Sequence, residues 1–198
     1  MLQFRLPSER FIREVLDRQR QVAFSYPEVG ASLNDAPKDY DVDHNRILLG
    51  QGAVAFEAAK KAIRQWKMFP GGWALVEPAN RPIEKGQVVV MLAHVFGLWW
   101  LNPCRIVYVL DETEPIRRFG FAYGTLPQHV EQGEERFSVE WLADDTVWYD
   151  LRAFSRPRYW PVRIGYPIAR RLQRRFVRES LASMQSAVAQ RLTGDLDS

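Results

Sequence analysis

Residues 123–137, YGTLPQHVEQGEERF, hold the side chains best suited to chemistry: His129, Glu131, Glu134, Glu135 and Arg136 fall within one short stretch. Histidine is the natural proton shuttle near neutral pH, and a carboxylate two residues away is the partner that would orient it. The same residues also suit a ligand clamp, because a few charged groups at the end of an apolar pocket fix a ligand's orientation. Thr125 adds a hydroxyl, although GTLP reads more simply as a turn. No nucleophile is marked out beside them. Cys104 sits in an apolar run, and the sequence has no GxSxG, GK[ST] or GxGxxG. The three histidines, His44, His94 and His129, lack the HxH or HExxH spacing of a metal site. Neither a metal nor a cofactor is expected, and the sequence leans against an enzyme, with His129 as a weak catalytic candidate.

A β-strand alternates faces with a period of two. If Phe137, Val139 and Trp141 face the core, Glu135 and Gly133 share that face, whereas Glu134, Arg136, Ser138 and Glu140 take the other. Gly133 is a candidate bulge, which would shift the parity of the residues before it and leaves the faces of Glu131 and His129 open. An inward Glu135 must be paired or protonated, since an isolated buried charge is too costly. The C-terminal segment offers two apolar stripes at helical spacing: Ile168, Leu172 and Phe176, then Val177, Leu181, Met184 and Val188. Extended backwards, the second stripe runs through Arg174 and Arg170. The expectation is a carboxylate and guanidinium network from Glu135 and Glu131 to Arg170 or Arg174. Such a network either locks the helix to the sheet or forms the polar end of a ligand cavity walled by some of Trp99, Trp100, Tyr108, Phe121 and Trp148.

Several elements must position these groups. Ser8 can cap a first helix running to about Gln21. Residues 25–43 read as an ordered loop, RILLG as a short strand, and GAVAFEAAKKAIRQWKMF as a helix burying Phe56, Ala59, Ile63 and Trp66. Strand candidates follow at about 73–77, 87–95, 104–111, 117–123, 134–141 and 146–154, and their short turns argue for an antiparallel meander. The charge-free run 86–104 approaches the length of a membrane span, but Gln87, His94, Gly97, Asn102 and Pro103 interrupt it, so it reads as two buried strands. A long helix from about Pro161 to Leu192 closes the order.

With 46% hydrophobic residues, 198 residues suffice for one domain with a sizeable core. The single cysteine cannot form an intramolecular disulfide and the N-terminus lacks an apolar signal region, so the expected compartment is the cytoplasm. Residues 151–178 hold nine of the 27 basic residues and none of the 24 acidic ones. Their partner is the protein's own carboxylates, an anionic ligand or membrane, or nucleic acid. For nucleic acid the stripe would be Arg156, Arg158, Arg163, Arg171, Arg175 and Arg178, with Tyr159 and Trp160 as stacking surfaces.

The order of elements resembles the helix-grip fold of the START and Bet v 1-like superfamily, in which a curved antiparallel sheet wraps a long C-terminal helix. SYPEVGAS at 25–32, LGQG at 49–52, YGTLPQHVEQGEERF, AFSRP at 153–157 and RRLQRRFVRES at 170–180 carry a closer resemblance. Together they resemble the bacterial and plant family called domain of unknown function nineteen-ninety, over nearly the whole chain after the first helix. The resemblance implies the helix-grip fold and carries no established activity, cofactor or catalytic residue. The sequence thus leads to a single α+β domain that binds a small, partly apolar molecule with an anionic end. Its polar candidates are Thr125, His129, Glu131, Glu135, Arg170 and Arg174, with Trp99, Trp100 and Trp148 as wall. Binding of nucleic acid or an anionic surface through 151–178 is the alternative, and cyclase or hydrolase chemistry by His129 and a carboxylate is a third reading. Helix-grip proteins include carriers, hydrolases and cyclases, so the fold selects no chemistry.

Overall fold

The computed structural model describes residues 1–34, 36–158 and 165–194. The expected helix start at Pro161 and the residues Tyr159, Trp160 and Arg163 lie outside them.

Alternation of apolar and polar residues builds the meander β3 (Ala74–Glu77), β4 (Val88–Val95), β5 (Leu98–Glu112), β6 (Arg117–Thr125), β7 (Glu131–Trp141) and β8 (Thr146–Pro157). An earlier strand, β2 (Asp41–Gln51), returns to pair with β8, giving the antiparallel order β2-β8-β7-β6-β5-β4-β3, and the two-residue β1 (Leu2–Gln3) pairs with β5. The charge-free run is two strands, as its interruptions predict. Its hairpin turns at Phe96 and Gly97, both with positive φ, which is the two-residue geometry that matches strand twist. β5 is longer than expected and slips register between Ile106 and Tyr108. That bulge reverses the alternation. Trp100, Asn102, Cys104 and Ile106 therefore share the inner face, whereas Tyr108 turns outward to Ser32, contrary to its expected place in a cavity wall.

Helices and a loop cover the two faces of the sheet. On the outer face, α1 (Glu9–Gln19) starts at Ser8, whose Oγ accepts from the Phe11 N–H, and it buries Ile12, Val15 and Leu16 against Val88, Val90 and Leu101. The loop before β2 covers the rest of that face with Tyr26 and Tyr40 packed on Phe154. On the inner face, α2 (Gly52–Arg64) lays Ala55, Phe56, Ala59 and Ile63 on Phe119, Phe121, Val139 and Tyr149. α2 is shorter than predicted because Lys67 N donates back to Ala62 O around Trp66, which takes a left-handed φ of 56°. This closure satisfies the last carbonyls and still buries the Trp66 ring in the core.

The last helix, α3 (Tyr166–Gly194), crosses the inner face beside α2, so the architecture is the expected antiparallel sheet laid around a long C-terminal helix. Its buried row runs through Phe176, Ser180, Met184 and Val188 at intervals of four. Ser180 is the link that the apolar pattern concealed. It is fully buried, and its Oγ and the Tyr149 hydroxyl lie 3.0 Å apart in a hydrogen bond. The two stripes are therefore one continuous surface. The first half of α3 turns Ala169, Leu172, Gln173 and Phe176 toward the sheet, and Arg174 outward.

Candidate functional site

α2 and the second half of α3 fill one end of the inner face. The other end, beneath the first half of α3, holds a cavity of about 570 Å³ bounded by β4 to β8, by Asp43 of β2 and Ala74 of β3, and by residues 165–177. Its walls are largely apolar, from Met91, Ala93, Trp100, Ala153, Leu172 and Phe176. The polar groups come from β7 and the turn before it. No register shift occurs at Gly133, which pairs in step with Ser155, so the predicted bulge is absent. Glycine is required there for another reason: φ is +149° and a Cβ would lie 1.9 Å from the Phe154 carbonyl oxygen. Parity consequently runs unbroken, and Glu131, Gly133 and Glu135 all face the cavity.

Glu135 Oε2 accepts from the Tyr123 hydroxyl at 2.5 Å, and its other oxygen has no partner among the described residues. Burial raises its pKa to about 7. Glu131 Oε1 accepts from Gln173 Nε2 at 2.6 Å, and burial raises its pKa as well. Both carboxyls keep some accessible surface although protein surrounds them, because they border the cavity. His129 Nδ1 accepts the Glu131 backbone N–H at 2.9 Å, which places the ring proton on Nε2. Burial pushes the His129 pKa down to about 3, so the ring is neutral at physiological pH and is a poor base. Thr125 lines the cavity, but its hydroxyl is committed to Ser25 Oγ at 2.6 Å and Gly133 N at 3.0 Å. It ties the loop to the sheet end.

The expected arginine network is different. Arg170 forks onto Asp43 of β2 at 2.5 and 2.8 Å and donates to Gln173 at 2.7 Å, so it reaches Glu131 only through Gln173 and does not meet Glu135. Arg174 is exposed beside an outer groove between β2 and α3. The reason is the row through Ser180, which rotates both arginines off the inward face. The anionic ligand end expected from them loses its basis. Of the tryptophans, Trp100 lines the cavity, Trp99 stacks on His94 at 4.6 Å, and Trp148 lies on the outer face under Arg46. Trp148 neighbours Val147 and Tyr149, both fully buried, so alternation already excluded it from the inner wall. Phe121 is core packing.

Sequence reading missed Asp43, Gln173 and Asn102. Asp43 and Gln173 carry no local signal. Asn102 does, as a polar residue inside an apolar run; it is 2% exposed, it lines the cavity, and its Oδ1 has no hydrogen-bond partner. In the arginine-rich segment, Arg156 lies over Tyr40, Arg170 holds Asp43, and Arg175 pairs with Glu179 while covering Trp73. Arg171, Arg174 and Arg178 remain exposed on α3. Among the described residues, no group of three or more metal-ligating side chains is arranged to hold an ion, and no helix is long and apolar enough to cross a membrane.

The sequence profile described as "Domain of unknown function (DUF1990)" matches residues 25–183. A UPF0548 protein from Dictyostelium discoideum is 36% identical over 207 residues, covering 95% of this chain and 96% of its own. One from Deinococcus radiodurans is 36% identical, covering 90% and 94%. Among solved structures, hypothetical protein jhp0584 from Helicobacter pylori aligns with a TM-score of 0.55 at 11% identity, covering 83% of this chain and 95% of that one, a likeness of fold alone.

Proposed function

The chain belongs to the DUF1990 family, a domain of unknown function, and from its own site we propose that it binds a small, partly apolar molecule in the cavity between the sheet and the first half of α3. The observation that carries this reading is the unfilled space. Protein interiors pack to near crystalline density, and a volume of about 570 Å³ falls within the roughly 300–1,000 Å³ of small-molecule sites. A few polar groups in an otherwise apolar wall complete the pattern. Binding, not catalysis, is the better fit for His129, because a ring held neutral with Nδ1 already occupied offers the cavity a donor and no base.

The test is native mass spectrometry of gently purified protein against its denatured mass. Ala153 lies on the cavity floor in β8, in register with both Glu135 and Asp43. The wild type is expected to retain a small-molecule mass that Ala153→Phe loses, with both proteins folded by circular dichroism. A mass retained equally by Ala153→Phe would place the ligand elsewhere. A bare wild type whose thermal stability responds to a metabolite extract no differently from that of Ala153→Phe would return the cavity to empty space. Arg171, Arg174 and Arg178 keep nucleic-acid or anionic-surface binding as a second reading. A salt-dependent shift of DNA or RNA that their joint replacement by alanine abolishes would support it.

A further inference from the structure

Building on the ligand-cavity reading, we propose that the bound molecule is an organic amine, held as its ammonium with an apolar body. Three observations point to that class. First, every charged side chain that lines the cavity among the described residues is acidic: Asp43, Glu131, Glu134 and Glu135. Asp43 is taken by Arg170, and Glu134 turns to the outer face where the loop occupies it. Glu131 and Glu135 each keep one oxygen with no protein partner among the described residues. Second, Asn102 belongs to the lining and carries a buried Oδ1 with no hydrogen-bond partner, an acceptor that a small side-chain rotation would bring to a ligand N–H. A buried carbonyl oxygen left unpaired is costly, and a ligand N–H would remove that cost. Third, the walls include the aromatic rings of Trp100, Tyr123 and Phe176, whose faces attract a cation as well as apolar surface.

Negative charge thus dominates the charged lining of an aromatic-walled space, while the unpartnered donor there, the Trp100 indole N–H, is neutral. A carboxylate ligand would meet like charge from two strand positions. A neutral alcohol would satisfy the acceptors but leave two carboxyls without a counter-charge. An ammonium satisfies both, and it offers several donors to acceptors on different strands. Burial raises the pKa of Glu131 and Glu135, and an ammonium seated beside them would oppose that shift.

The experiment is a matched series on the full chain at pH 7.5: n-octylamine, n-octanol and n-octanoate, with one tail and three head groups. Binding is read by calorimetry and by the fluorescence of Trp73 and Trp100, which line the cavity. The amine should bind at least about ten-fold more tightly than the alcohol, and the acid most weakly. Glu131→Gln combined with Glu135→Gln should bring amine and alcohol to within about two-fold of each other, and Ala153→Phe should abolish all binding. Alcohol or acid binding as tightly as the amine in the wild type overturns the amine assignment and leaves the cavity reading standing. Failure of all three to bind overturns both. The wild-type series decides the matter even if the double variant does not fold.

Discussion

Replacing Glu134 with alanine is expected to lower the unfolding free energy by about 3–5 kcal/mol. The carboxylate is 3% exposed and gathers the loop before β2 onto the outer face of the sheet. Tyr26 Oη donates to Oε2 at 2.7 Å, Gly30 N donates to the same oxygen at 2.8 Å, and Ser32 N donates to Oε1 at 3.1 Å, with the Ser32 hydroxyl also bonded there. Alanine would leave two backbone N–H groups and a phenol unpaired where water enters poorly. The Tyr26 ring passes over Gly124, where a Cβ would lie 2.0 Å from its hydroxyl, so the close approach needs glycine. Glu134→Gln keeps one acceptor and should cost about half as much, and Tyr26→Phe about 1 kcal/mol. Urea unfolding measures all three. Protection of the Gly30 and Ser32 amides from hydrogen exchange should fall first in Glu134→Ala. A loss below about 1 kcal/mol in that variant would mean the loop is held by its aromatic cluster instead.

This latch also explains why distant strings in the sequence go together. SYPEVGAS supplies the donors and QGEERF the acceptor, across more than a hundred residues. Strand parity made the opposition of Glu134 and Glu135 readable, since apolar Phe137 and Val139 fix the alternation. It also placed Glu135 on the inner face without any knowledge of the tertiary structure. What parity could not reveal was the partner of each carboxylate, because a pairing such as Asp43 with Arg170 is set by how β2 closes on β8.

Two differences between pattern and structure have local physical causes. Tyr108 is a candidate for the cavity wall from its residue type, and the bulge at Val107 turns it to the outer face. The apolar pattern points Arg170 and Arg174 inward only if the stripe through Val177 and Leu181 faces the sheet, and the buried row instead passes through Ser180, against the Tyr149 hydroxyl. A buried serine in an apolar row is invisible to hydrophobic periodicity. With Phe176, Met184 and Val188, Ser180 forms the row that packs on the core, which leaves Arg174 on the exposed side of α3.

The acid end of the stability profile should be governed by His129. Its folded pKa is depressed to about 3 from an ordinary 6.5 because burial opposes the charged ring. Below pH 6.5 the unfolded chain binds a proton that the native state refuses until about pH 3, so stability is lost as pH falls through that window. A shift of this size corresponds to roughly 4–5 kcal/mol at the bottom of the window. His129→Asn keeps an acceptor near the position of Nδ1 for the Glu131 N–H and cannot titrate. The difference in unfolding free energy between wild type and this variant should therefore shrink steadily from pH 6.5 toward pH 3. Glu135 acts with the opposite sign. Its folded pKa is raised to about 7, so the stability associated with its protonated form is complete below about 4.5 and is lost as pH rises through 7. Glu135→Gln should gain on the wild type over that range by roughly 2–3 kcal/mol. Between pH 4.5 and 6.5 the two slopes oppose each other, so the wild type alone would show a misleading plateau. The variants separate the terms: His129→Asn should fall steadily from pH 4.5 to 7, and Glu135→Gln should rise from pH 3 to 6.5. If His129→Asn instead tracked the wild type at a constant offset from pH 3 to 6.5, the ring would be reaching solvent and protonating in the native state, and its Nε2–H would not be a fixed donor to the cavity.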